Sequence, residues 1–160
     1  MTGRHLRAVG QPDPTSPVGA PAPAGPVGPP IPPGPRTVWE LVHPARPTPM
    51  NAYRRLHPHA RARYDRLWRR TFADLARRAR VPHLDAVIIT VGQWCLRPPL
   101  PDPGANFPTA KAAVDGLVDA GVLTDDSSEF VRYLGFAAPE RGPEDLFLLS
   151  IELYTEETAP

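Results

Sequence analysis

Residues Asp102 to Asp126 read DPGANFPTAKAAVDGLVDAGVLTDD, and the pattern is that of a short helix between two functional loops. Pro108 suits a first helical position, because its fixed φ costs nothing where no N–H partner exists. The helix is expected to run to about Ala120 and to bury Ala113, Val114, Leu117 and Val118. Gly121 follows where a left-handed residue is usually needed. Lys111 and Asp115 lie four apart and share a helical face. Asp102 and Asn106 precede the helix, and Asp125 and Asp126 follow it. Carboxylates around one ammonium suit a Mg²⁺ site working on phosphates, since Mg²⁺ takes a few carboxylate oxygens and keeps water on the substrate side.

Outward from this stretch, Thr37 to His43 alternates apolar and polar residues and predicts a strand. Pro44, Pro47 and Pro49 make a stiff loop up to Asn51. A long helix is expected from Pro58 to Arg80, with Tyr64, Leu67, Trp68, Thr71, Leu75 and Ala79 on its core face. Its opposite face carries Arg63, Arg66, Arg70, Arg77 and Arg80 and reads as an arginine stripe without an acid inside it. Leu84 to Leu96 predicts a strand with a bulge at Gly92. Phe130 to Phe136 and Leu146 to Tyr154 predict two more, with a loop between them. The order is strand, helix, strand, helix, strand, strand. That is an α+β fold, a small mixed β-sheet with two helices against it.

The 160 residues allow one ordinary domain, placed at 37–160. Residues 1–36 hold eleven of the 24 prolines, interleaved with Gly and Ala. Such a stretch is expected to be a disordered or polyproline-like tail, having too little apolar surface to offset its ordering entropy. The tail shows no apolar run of signal-peptide length, and no window approaches the ~18 apolar residues of a membrane span. A cytoplasmic location follows as an expectation. The single Cys95 excludes an internal disulfide and a multi-cysteine zinc site; within a strand it reads as a small buried residue. The five histidines show no zinc spacing, and no P-loop, dinucleotide fingerprint or G-x-S-x-G is present. The net charge of +1 conceals an asymmetry: residues 51–80 carry ten Arg against two Asp, while 101–160 carry twelve acids against three bases. A basic half beside an acidic half fits a polyanion-binding surface next to a metal site.

The stretch from Lys111-Ala112 through Asp115, Leu117, Ala120-Gly121 and Asp125-Asp126 resembles the RusA-type Holliday junction resolvases, whose signature contains K-A-x-x-D-x-L-x-x-A-G-x-x-x-D-D. The opening half, D-x-D-N or D-x-x-N in the family, is matched in part by Asp102 and Asn106. No second acid stands between Pro103 and Val114. Met50 to His57, with Asn51, Arg54 and Arg55, resembles the family's N-terminal segment. The resemblance implies a Mg²⁺-dependent endodeoxyribonuclease, a homodimer, that nicks branched DNA at four-way junctions in recombination or repair. It further implies Asp102, Lys111 and Asp126 as catalytic residues, with Asp102, Asp125 and Asp126 as metal ligands. Asn106 and Asp115 would stand behind them. Asn51, Arg54, Arg55, Arg63, Arg66, Arg70 and Arg77 would hold DNA phosphates.

Each residue also has a plainer reading. Asp125 and Asp126 suit a turn, and Asn106 suits a helix cap. Lys111 could simply pair with Asp115, although it is the only lysine in the chain and a compact ammonium approaches phosphoryl oxygens as a point charge. The missing acid leaves open a catalytically weakened junction- or DNA-binding protein on the same fold. A further alternative is an interaction module whose proline-rich tail docks onto SH3-like partners.

Overall fold

The computed structural model describes residues 37–154, so the expected tail at 1–36 lies outside the described residues. The chain forms β1 (Val38–His43), α1 (Met50–Arg55), α2 (Pro58–Arg78), β2 (Val87–Cys95), α3 (Phe107–Asp119), β3 (Val131–Phe136), β4 (Glu140–Arg141) and β5 (Leu146–Leu153). One mixed sheet runs in the order β1-β5-β2-β3, with β4 pairing to the end of β2. β5 is antiparallel to both β1 and β2, whereas β2 and β3 are parallel. The parallel pair requires a crossover, and α3 provides it. The fold is α+β, as the hydrophobic pattern requires.

Strand alternation divides the sheet into two unlike faces. Leu41, Val87, Ile89, Val91, Phe147, Leu149 and Ile151 are buried under the helices. From α2, Trp68 and Phe72 meet Phe147 edge-on at 5.3 and 5.7 Å between ring centroids. His43 stands edge-on to Trp68 at 5.2 Å, and burial lowers its pKa. The registers place Val38, Glu40 and Val42 of β1, Ile88 and Trp94 of β2, Leu148 and Glu152 of β5 and Tyr133 of β3 on the other face.

Several expectations need correction. Helix α1 and strand β4 were not expected, giving three helices and five strands among the described residues; both are too short for a period to show. On α2 the core row is Trp68, Phe72 and Ala76, while Leu67 is 62% exposed and Ala79 lies outside the core. The helix turns its i, i+4 row to the sheet, so Leu67 falls on the arginine side. Gly92 is no bulge: it faces Leu148 in unbroken register, and the register shift lies between Val87 and Ile88 against β3.

Helices α2 and α3 touch backbone to backbone at Gly116. A Cβ there would collide with the carbonyl oxygen of Arg69 and stand 3.0 Å from the nitrogen of Ala73. Gly121, with φ +77°, then turns the chain out of α3. Alanine at Gly116 would gain about 1 kcal/mol of helix propensity and incur about 1–3 kcal/mol of overpacking. Gly116→Ala is therefore expected to be destabilising on balance, by on the order of 1 kcal/mol, as a lowered urea midpoint at unchanged m-value.

Candidate functional site

Lys111 stands on the exposed face of α3, and its ammonium is held by two carboxylates from different parts of the chain. Nζ donates to Asp115 Oδ1 at 2.6 Å, one turn along the same helix. It also forms an ion pair with Asp126, which returns from the loop beyond Gly121. An ammonium has three protons to donate, so one remains after these two partners. The structure thus brings together Lys111, Asp115 and Asp126.

Asp102 and Asp125 are exposed, with no side-chain bond to this cluster. Among the described residues no three His, Cys, Asp or Glu side chains gather closely enough to enclose a metal ion. The two carboxylates that converge here, Asp115 and Asp126, meet on the Lys111 ammonium; Mg²⁺ commonly takes only one or two carboxylates plus water and phosphate oxygens.

The loop carrying Asp102 is tied to the rest of the site from below. Ala105 N donates to Asp102 O at 3.0 Å, and Met50 N donates to Ala105 O at 2.6 Å. The second bond sets α1, with Asn51, Arg54 and Arg55, against the start of α3. Tyr64 of α2 reinforces the junction. Its hydroxyl accepts from Thr48 N at 2.8 Å and lies 2.6 Å from Thr109 Oγ1 on α3. Tyr53 of α1 donates to both oxygens of Asp65, at 2.8 and 3.0 Å, and its pKa is raised by burial and by that carboxylate. Asn106 occupies the N-cap position but caps nothing with its side chain. It is 4% exposed and turns inward, donating to Gln93, itself 5% exposed, on β2.

Beside α3, the arginines of α2 line a shallow open groove with Leu67, Ala73 and Asp119. The acid-free stripe needs correction. Asp74 lies within it, 3.2 Å from Arg77 Nη1 and 4.0 Å from Arg70 Nε. Arg80 lies beyond the helix in a left-handed conformation, φ 53°. Arg77 also donates to the carbonyl of Asp119 at 2.8 Å. Arg63 and Arg66 remain on the groove without an acid partner among the described residues, while Arg70 stands 4.0 Å from Asp74.

Sequence reasoning missed Arg69. It grips Asp119 with two parallel bonds, through Nε and through Nη2 at 2.6 Å. That bond raises the Arg69 pKa and holds the Asp119 carboxyl below its usual range. Asp119 stands one turn along α3 from Asp115, so the Lys111 cluster and the groove lie along one helix row, a seam of charge. The only sequence sign was the run Lys111, Asp115, Asp119 at four-residue spacing. Burial pushes the Cys95 thiol up in pKa, consistent with a core role.

No family model and no curated protein sequence matches the chain. No helix of the described residues is long and apolar enough to cross a membrane.

Tyr64→Phe removes the hydroxyl that joins the Thr48 loop to α3 and leaves buried Thr109 short of a partner. A cost of about 1–2 kcal/mol is expected, measured by urea unfolding. Faster amide exchange should be confined to residues 48–56 and the first turn of α3.

Proposed function

We propose that the chain is a Mg²⁺-dependent endodeoxyribonuclease acting on branched DNA, as the resemblance of Lys111–Asp126 implies. The observation that carries the reading is the Lys111 ammonium, held by Asp115 and Asp126 on the same helix row as Asp119, which lines the arginine groove. A duplex is dense in phosphates, and affinity for it comes largely from such cationic contacts without sequence reading. Arg63, Arg66 and Arg70 supply these contacts, and Arg54 and Arg55 of α1 extend them beside the Asp102 loop.

In this reading Asp126 and Asp102 would hold the metal, with Asp125 adjacent to Asp126 in the chain. Bound Mg²⁺ supplies a water of lowered pKa and neutralises charge on the scissile phosphate. Lys111 directs its remaining proton to a phosphate oxygen and stabilises the charge that builds there. Asp115 fixes the ammonium so that little reorganisation is needed. A four-way junction offers two equivalent strands, so a second copy of the chain would cut the partner strand.

A second reading, a junction-binding protein without cleavage, is favoured by one observation: no three-acid cluster forms among the described residues. Incubation of end-labelled four-way junctions with and without Mg²⁺ separates the two. Mg²⁺-dependent nicking supports the nuclease, and binding without nicking supports the second reading. In an active preparation, Asp126→Asn should abolish nicking while junction binding persists. Lys111→Arg keeps the charge but changes its shape and reach, and should cut turnover by about 10²-fold with affinity nearly unchanged. A silent Lys111→Arg would return Lys111 to plain helix pairing.

The groove makes an independent prediction. Replacing Arg66 and Arg70 with Gln should weaken binding to duplex of any sequence. Each lost phosphate contact should flatten the log–log salt dependence by roughly 0.9, measured by fluorescence anisotropy across a salt series.

A further inference from the structure

The groove on α2 holds one residue that phosphate binding does not account for. Leu67 lines it among Arg63, Arg66, Arg69 and Arg70. It is 62% exposed, whereas no other large hydrophobic side chain among the described residues exceeds 45%. Arg63 stands one turn before it, Arg66 beside it and Arg70 nearly one turn after it, so an apolar tip is framed by cations. The next residue fixes its direction. Trp68 is buried and stands edge-on to Phe147 at 5.3 Å, so α2 cannot roll and Leu67 cannot turn into the core. A leucine on a helix leans over the preceding turn, here toward Arg63.

The surrounding arginines leave this tip clear. Arg69 and Arg77 are drawn aside onto Asp119, and Arg70 lies 4.0 Å from Asp74. Arg63 and Arg70 are seven residues apart, about 10 Å along the helix axis. Their long side chains can reach backbone phosphates on either side while the leucine meets what lies between. In an intact duplex that is a stacked base step, and parting it costs unstacking energy. At a branch point a base pair already ends in an open apolar face, and that cost is smallest.

We propose that Leu67 is a specificity-determining contact for branched DNA, its side chain packing on the open base pair at the branch point while the arginines around it hold the flanking phosphates. The proposal rests on the nucleic-acid reading of the groove. It adds what tells a branch from a linear duplex, which phosphate contacts alone do not supply. Other occupants fit less well. A second copy seated on this face about a two-fold axis would bring arginines against their own equivalents. A lipid surface needs a broad apolar face, and that of α2 is turned to the sheet through Trp68, Phe72 and Ala76.

The test compares Leu67→Ala and Leu67→Met with the parent chain, in EDTA so that binding is read without cleavage. The probes are a four-way junction and a linear duplex of matched sequence, followed by fluorescence anisotropy. Leu67→Ala should lose about tenfold in junction affinity, the effect of one leucine-sized apolar contact, with duplex affinity nearly unchanged. Leu67→Met should bind both as the parent does. A 2-aminopurine at the branch should brighten with the parent and with Leu67→Met, because an aliphatic group replaces a quenching base, and should stay dim with Leu67→Ala. Unchanged junction affinity in Leu67→Ala, or an equal loss on junction and duplex, would overturn the proposal and leave the groove a plain phosphate site. A change of oligomeric state in Leu67→Ala by analytical ultracentrifugation would also overturn it, assigning Leu67 to a contact between copies. A parent chain that binds neither DNA would overturn it together with the function on which it rests.

Discussion

The near-contact of two backbones at Gly116 is the constraint on which the exposed chemistry depends. Because α3 carries a glycine there and alanines at 110, 112 and 113, it lies against α2 without side chains holding the axes apart. Small residues alone would allow the approach; they would not orient it. The orientation comes from Arg69 and Arg77, which reach from α2 to the side chain and the carbonyl of Asp119. Once those contacts form, the distance from the arginine groove to Lys111 is set by helix geometry at 1.5 Å per residue. The groove and the lysine cluster are thus two views of one helix pair.

The seam of charge is not chiefly a source of stability. From Asp126 through Lys111 and Asp115 to Arg69, Asp119, Arg77 and Asp74, cations and acids alternate along the surface. Exposed pairs of this type contribute about 0–1 kcal/mol each. The aromatic packing of Trp68, Phe72 and Phe147 contributes far more, since truncating one large core residue costs about 3–5 kcal/mol. What the alternation provides is position. Each cation is held by acids that also restrain its neighbours, so long side chains that would otherwise wander are ordered. Arg63 and Arg66 stand outside this lattice, exposed on the groove.

The parts of the fold that sequence made legible are those with a period long enough to count. The strands at Val38–His43 and Leu146–Leu153 are marked by short apolar-rich runs, and α2 and α3 announce themselves through Pro near their first turns and, for α3, Gly121 after the last. Helix α1 escaped because six residues make fewer than two turns and none of them is buried. Leu67 was misplaced because Leu67 and Trp68 are adjacent, and only the packing of Trp68 on Phe147 decides which of them faces the sheet. In the site, the Lys111–Asp115 pair was visible as an i, i+4 spacing. The Arg69–Asp119 pair joins residues fifty positions apart, and nothing local marks Arg69 among ten arginines in residues 51–80. Asp74 illustrates the opposite error. It was in plain view, but its place between Arg70 and Arg77 shows only when the helix is wound at 3.6 residues per turn.

The buried amide pair of Asn106 and Gln93 carries the last link between core and site. Their mutual bond leaves Gln93 Nε2 and Asn106 Oδ1 without a partner among the described residues, and a buried unpaired polar atom costs about 1–3 kcal/mol. Two apolar side chains would fill the same space at lower cost. They would also permit sliding, because apolar contact has no direction. The hydrogen bond from Asn106, four positions after Asp102, fixes the start of α3 to one residue of β2. With Met50 N bound to Ala105 O, the loop is pinned from the sheet and from α1 together. The core therefore gives up stability at the one place where the start of α3 must stay in register. From that register follow both the position of the Asp102 loop and, five residues further on, that of Lys111.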